Sequence, residues 1–199
     1  MIAKKCFHIA FLPLPFLLAF IILSKFYPYF KFILFIFLTL QILFIFFFRD
    51  LKREIQDGII SPADGKIVEK NEKISIFMNL FDMHVNLMPY DGKIIKIVHY
   101  KGEHKPAFSK IEGNQKVEIE IESDIGKIKI IQIAGLFARR IVTYVKEGDY
   151  LKKGERIGII RFGSRVEIIL PENCKIVVEK GKKIKAGQTL AITNYKNSA

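Results

Sequence analysis

No aspartate or glutamate occurs before Asp50, and Lys4, Lys5, Lys25 and Lys31 are the only charged side chains in the first 48 residues. A stretch so poor in charge cannot offer the solvated face that a soluble helix needs, so it limits the fold more than any motif does. Ile9 to Leu23 is apolar apart from its prolines, and Phe32 to Phe48 is apolar except for Thr39 and Gln41. Between them, Ser24 to Lys31 mixes lysine, tyrosine and proline in the manner of a membrane interface. The second run, 17 residues long, is at the short limit for a span. Two close-spaced spans fit this pattern, as does a re-entrant segment followed by one span. A cleaved signal peptide fits poorly, because two runs separated by a basic turn, with no small-residue cleavage site, do not have that layout. Residues 1–48 are therefore expected to be a membrane anchor of one or two helices, and 49–199 a folded domain. If both runs span, Lys4 and Lys5 share a side with Arg49, Lys52 and Arg53, which places the domain on the cytoplasmic face of the cell membrane; Lys25 and Lys31 vote against this.

Beyond the anchor, 28 Lys and Arg stand against 20 Asp and Glu, so the domain is basic by about +8 on its own account. Basic domains favour nucleic acid or anionic lipid. There is no basic helix, Cys/His metal spacing or Arg-aromatic repeat of the kind that reads nucleic acid, which argues against that partner. The neighbouring anchor favours a lipid surface. Cys6 and Cys174 are too few and too far apart for a disulfide framework.

From Gly58 onward the chain changes to short alternating runs of Ile, Val, Lys and Glu punctuated by Gly and Asp-Gly. This pattern predicts strands at 66–68, 73–77, 84–87, 93–99, 117–121, 127–133, 139–145 and 156–160, and on both sides of Gly163-Ser164. No amphipathic helix of three turns is evident. The expected fold is a mostly β, antiparallel sandwich or barrel-like domain behind a hydrophobic helical segment.

The C-terminal third also matches itself at an offset of 33 residues. Val145, Gly148, Leu151, Gly154 and Ile157 correspond to Val178, Gly181, Ile184, Gly187 and Leu190. The shared pattern resembles the hammerhead turn of biotinyl and lipoyl domains, with glycines allowing turns at φ > 0 and apolar residues anchoring them. A swinging carrier would need a lysine in a Met-Lys-Met or Asp-Lys-Ala type context, which is absent. A non-enzymatic, membrane-tethered adaptor stays open as a rival reading.

Gly163-Ser164 lies between apolar strands in Arg161-Phe162-Gly163-Ser164-Arg165-Val166-Glu167-Ile168-Ile169-Leu170-Pro171. Taken alone, the dipeptide reads as a tight turn. The whole run resembles the processing site of short-form phosphatidylserine decarboxylase proenzymes, a pyruvoyl family, and of the related archaetidylserine decarboxylases. Ser61 to Gly65, Asp82 to Asn86 and Gln132 to Val142 resemble further blocks of that family. The resemblance implies self-cleavage at Gly163/Ser164 into residues 1–163 and 164–199, which stay together as a heterodimer, with further oligomerisation left open. It implies a pyruvoyl group formed from Ser164, no metal and no diffusible cofactor. The pyruvoyl group would bind the amine of a serine phospholipid as a Schiff base and take up the electrons left by CO2, giving the ethanolamine lipid. Phosphatidylserine is the expected substrate, with archaetidylserine as the alternative; the anchor argues against a soluble amino acid.

The resemblance also implies roles for His84 and Asp64. His84 sits in an apolar strand-like stretch and matches the family histidine linked to decarboxylation. Asp64, which could serve simply as a turn residue, matches the aspartate of a self-cleaving Asp-His-Ser triad. The triad histidine of longer relatives falls here on Leu87, so either His84 serves both steps or another base acts. Arg139, Arg140, Arg161 and Arg165 are candidates for the lipid phosphate, because a guanidinium fork fits phosphate oxygens. Only one of the adjacent Arg139 and Arg140 can face the site from a strand.

Overall fold

The computed structural model describes residues 1–102, 113–135, 140–161 and 164–193. The chain divides into two compact units, Met1–Leu51 and Lys52–Ala199. In the first, helices α1 (Phe7–Ala10), α2 (Leu14–Phe26) and α3 (Phe30–Phe47) follow one another, with Pro13 separating α1 from α2. Phe7–Phe26 and Phe30–Phe47 are each long and apolar enough to cross a membrane. Phe37 on α3 packs against Phe16 and Phe20 on α2, making a helical hairpin. Its polar residues bond inward: Gln41 Nε2 donates to the Ala10 carbonyl at 2.9 Å, and Thr39 Oγ1 to the Phe35 carbonyl at 2.9 Å. Donors bonded in this way need no water, which suits a lipid environment. The Ala3 amide bonds the Phe48 carbonyl at 2.8 Å, bringing the start of the unit beside the end of α3.

The second unit contains fourteen strands among its described residues, all paired antiparallel. They are β1 (Ile59–Ile60), β2 (Gly65–Lys70), β3 (Ile74–Met78), β4 (Val85–Leu87), β5 (Gly92–Tyr100), β6 (Lys116–Ser123), β7 (Gly126–Ala134), β8 (Ile141–Thr143), β9 (Tyr150–Leu151), β10 (Arg156–Ile160), β11 (Ser164–Ile169), β12 (Cys174–Ile176), β13 (Lys183–Ile184) and β14 (Thr189–Thr193). Eight form one sheet in the order β13-β2-β3-β11-β7-β6-β5-β9; two three-stranded sheets run β4-β10-β8 and β1-β14-β12. The mostly β, antiparallel expectation therefore holds. The strand expected over 139–145 is shorter, Ile141–Thr143, and Arg139 lies outside the described residues.

Alternation explains the large sheet. On β6, Val117, Ile119 and Ile121 are buried, while Glu118 and Glu120 meet Lys129 of β7 on the other face. The buried residues of β6 join Ile67, Ile74, Ile76, Ile94, Ile128, Ile130, Val166 and Ile168 in one core cluster. Isoleucine suits this surface because a β-branched side chain packs well on a pleated sheet.

The two turn units seen in the sequence sit at opposite edges of the eight-stranded sheet, where β9 pairs with β5 and β13 with β2. Their glycines adopt matching left-handed conformations: φ is 93° at Gly148 and 90° at Gly181, and 87° at Gly154 and 93° at Gly187. Their hydrogen bonds match as well. The Gly148 amide donates to the Ile94 carbonyl and the Gly181 amide to the Ile67 carbonyl, both at 2.8 Å. These partners end two copies of a second repeat, Asp64-Gly65-Lys66-Ile67 and Asp91-Gly92-Lys93-Ile94.

Candidate active site

Ser164 opens β11, the strand inserted between β3 and β7, and registers with Met78 on one side and Ala134 on the other. It is fully buried, and its Oγ has no hydrogen-bond partner among the described residues. Immediately before it the chain changes sheets: β10 belongs to the β4-β10-β8 sheet and β11 to the eight-stranded one. Gly163 lies outside the described residues, so only the serine half of the expected scissile pair has a position here.

His84 lies just before β4 and is fully buried. Its carbonyl accepts the Ile160 amide at 3.2 Å, so it is held against β10 close to where the chain leaves for β11. Its Nδ1 is 2.9 Å from the Asp82 carbonyl. A carbonyl can only accept, so the proton sits on Nδ1, and Nε2 is the basic nitrogen of the neutral ring.

Strand alternation places Asn86 on the same side of β4 as His84, and Leu87 on the other. Asn86 meets the Ser164 strand's neighbours: its Oδ1 accepts from Gln132 Nε2 at 2.7 Å, and its Nδ2 lies 3.8 Å from Met78 Sδ. The position that matches the longer relatives' triad histidine is thus on the face of β4 turned away from His84 and Asn86.

Asp64 is buried, and its two oxygens do different work. Oδ1 accepts the Ala186 amide at 2.8 Å, which ties the turn after β13 to the start of β2. Asp91 accepts the Lys153 amide at 2.6 Å in the corresponding place of the other repeat, so this bond is an architectural feature made twice. Oδ2 accepts the Met83 amide at 3.3 Å, next to His84, and pairs with the Arg53 guanidinium. Asp64 thereby fixes the backbone that carries His84.

The arginines scatter. Arg165 follows Ser164 on β11 and so projects to the opposite face. Arg161 is buried, with its amide donating to the Arg140 carbonyl at 3.3 Å, while the Arg140 residue itself is exposed. On the face of β11 shared with Arg165, Glu167 is buried and accepts from Lys73 Nζ at 2.9 Å and Ser75 Oγ at 3.3 Å.

Arg53, Asn86, Gln132 and Glu167 escaped the sequence reading. Two left a signal. Gln132 occupies a position where the alternation of Ile128, Ile130 and Ala134 calls for an apolar residue, and the repeated Asp-Gly-Lys-Ile exposes the shared duty of Asp64 and Asp91. Arg53 left none, because its pairing with Asp64 depends on the path of the linker.

A family model described as phosphatidylserine decarboxylase matches residues 68–192. The chain is 47% identical over 148 residues to a protein of Archaeoglobus fulgidus provisionally named an archaetidylserine decarboxylase proenzyme, covering 74% of this chain and 76% of that one. It is 41% identical over 197 residues to a phosphatidylserine decarboxylase proenzyme of Syntrophus aciditrophicus, covering 88% and 92%. A phosphatidylserine decarboxylase proenzyme of Streptomyces griseus is 44% identical over 153 residues, covering 73% and 71%. With matches of this length in both comparisons, the chain belongs to the phosphatidylserine decarboxylase family.

Proposed function

We propose that this chain is a self-cleaving proenzyme that breaks the Gly163-Ser164 bond, carries a pyruvoyl group at residue 164, and decarboxylates a serine-headed phospholipid at the membrane. The observation that carries the reading is a serine hydroxyl fully buried in the middle of a sheet without a partner among the described residues. Such a group costs about 1–3 kcal/mol and needs a reason to be there. The residue also suits the pyruvoyl group, because converting this hydroxyl strands no hydrogen bond.

In processing, Ser164 Oγ attacks the preceding carbonyl carbon, so that an ester C–O bond forms as the C–N bond breaks and the hydroxyl proton ends on the released amine. A base then removes the Ser164 Cα proton and the Cβ–Oγ bond breaks, expelling the carboxylate of the large product. The enamine left behind tautomerises and hydrolyses to a ketone and ammonia. His84, with Nε2 as its basic nitrogen, is the residue assigned to proton transfer, and Asp64 positions it through the Met83 amide. Once formed, the pyruvoyl group supplies a covalent anchor for the substrate amine and an electron sink for the pair released with CO2.

Phosphatidylserine is the substrate in this reading. The provisional name of the Archaeoglobus fulgidus relative favours archaetidylserine as the second. Both present the same serine amine and carboxylate. Arg139 and Arg140 are assigned to the lipid phosphate, with Arg165 less favoured because it projects away from Ser164. The two glycine-turn units are read as hammerhead-like, holding the small product in the sheet. Residues 1–48 are read as the anchor, with the domain at the cytoplasmic face.

Intact mass measurement tests the reading. Two fragments meeting at Gly163/Ser164, the smaller lacking a free N-terminal amine, support it. A single full-length chain from active preparations rejects it, as does CO2 release by Ser164→Ala.

A further inference from the structure

The inner face of β7 is apolar from Ile128 to Ala134 except at Gln132, which is fully buried. Its partner Asn86 is also fully buried, between Val85 and Leu87 in an otherwise apolar strand. A core of this composition has no need of two carboxamides, since apolar residues of the same shape would be neutral or better there. The fold nonetheless makes room for them. A Cβ at Gly158, which registers opposite Asn86, would fall 3.2 Å from Gln132 Nε2 and 2.7 Å from the Val142 carbonyl.

Their position relative to Ser164 follows from register. Residues that face each other across antiparallel strands point to the same side of the sheet, so Ser164, Met78 and Ala134 project together. Gln132 projects to that side one step along β7 from Ala134, on the diagonal to Ser164. Asn86 reaches over from β4 and touches both flanking strands, at Gln132 and at Met78. Its orientation follows from chemistry: Oδ1 faces the Gln132 donor and Nδ2 faces the Met78 sulfur, which can only accept. With Nε2 committed to Asn86, Gln132 presents Oε1 as its remaining polar atom. Among the described residues, Gln132 Oε1 and Ser164 Oγ are both buried without a hydrogen-bond partner, so the two do not bond each other in this structure and each is left open to a partner on the same face.

We propose that Gln132, held by Asn86, is the positioning residue for Ser164 in self-processing: Gln132 Oε1 accepts the Ser164 hydroxyl hydrogen and sets the oxygen lone pair for attack. This rests on the reading of Ser164 as the processed residue. The carboxamide takes no proton: it holds the hydroxyl until the base displaces it as acceptor, takes the proton as Oγ attacks, and passes it to the released amine. Fixing one hydroxyl rotor in a dry site gives the attack its geometry in advance.

The test follows the rate of chain cleavage, by intact mass, in freshly translated full-length precursor. Gln132→Met keeps the shape and removes the acceptor, so cleavage should slow by about 10²-fold while the thermal melt stays cooperative. Gln132→Glu restores an acceptor oxygen; its cleavage rate, divided by the wild-type rate, should rise with pH as the carboxyl ionises. Filling space cannot account for such a profile. Asn86→Leu, which frees the Gln132 carboxamide, should also slow cleavage and carries the same test if Gln132→Met does not melt cooperatively. Wild-type cleavage rates in folded Gln132→Met or Asn86→Leu would overturn the proposal, as would a flat ratio in Gln132→Glu. A wild-type chain that is never cut would instead reject the Ser164 reading itself.

Discussion

Asp64 and Asp91 accept equivalent backbone amides, from Ala186 at 2.8 Å and Lys153 at 2.6 Å, in two halves of the domain related by repeated sequence. Asp64 goes further, with its second oxygen shared between Arg53 and the Met83 amide beside His84. The comparison separates what this aspartate does for the fold from what it does for the site.

That separation is measurable. Asp91→Asn alters an exposed carboxylate and should cost less than about 1 kcal/mol with cleavage at the wild-type rate. Asp64→Asn leaves Arg53 without its carboxylate and weakens the Met83 bond, so it should cost about 1–3 kcal/mol and slow both cleavage and decarboxylation. Urea melts paired with cleavage rates check this; equal effects from both variants would assign Asp64 a purely structural duty.

Glu167 and Lys73 fall on different sides of the proposed cut, so their pair, 2.9 Å long, holds the products together. Glu167 is 3% exposed, while the lysine side chain is 36% exposed, which tempers the loss. Lys73→Met should destabilise the processed protein by about 1–2 kcal/mol, and Lys73→Met with Glu167→Met should recover most of it, since the carboxylate is no longer buried unpaired. The urea concentration at which the small product separates reads the difference.

Acid sensitivity should be traceable to the outer face of the large sheet. Burial pushes the Glu118 carboxyl up, but hydrogen bonding and charge from Lys116, then Lys129, outweigh it and hold the group below its ordinary value of 4.5. A carboxyl lowered in the folded state contributes stability above its unfolded value, and that contribution is lost as pH falls through the folded value. Glu118→Gln should therefore flatten the fall in melting temperature below about pH 4.5 and change little at neutrality. An unchanged acid limb would exclude Glu118 as a contributor.

A chain starting at Lys52 should remain in solution without detergent and still cut itself, because the second unit is compact by itself and contains Ser164, His84, Asp64 and Arg53. The truncated chain should lose most of its turnover on vesicle-borne lipid relative to a detergent-dispersed substrate. Failure to self-cut while folded would show that the first unit takes part in processing.

Much of this was legible along the chain. The charge-poor start, the strands on β2 to β7 and β10, and the glycine turns all arise from local rules: apolar length, alternation, and the φ > 0 conformations that glycine allows. His84 and Ser164 could be named because each stands in a contiguous block. The partners of these residues could not be, since they come from distant strands. Gln132 meets Asn86, Arg53 meets Asp64 and Glu167 meets Lys73 only after β11 has entered between β3 and β7 and β4 has paired with β10. The sequence by itself determined which segments are apolar, extended or turned, because those properties belong to neighbours in the chain. Only the tertiary structure decided which face of β11 holds the serine, which position on β4 shares a side with His84, and which oxygen of Asp64 serves the site. Register and sheet order set those outcomes, and both are fixed by packing between residues far apart in sequence.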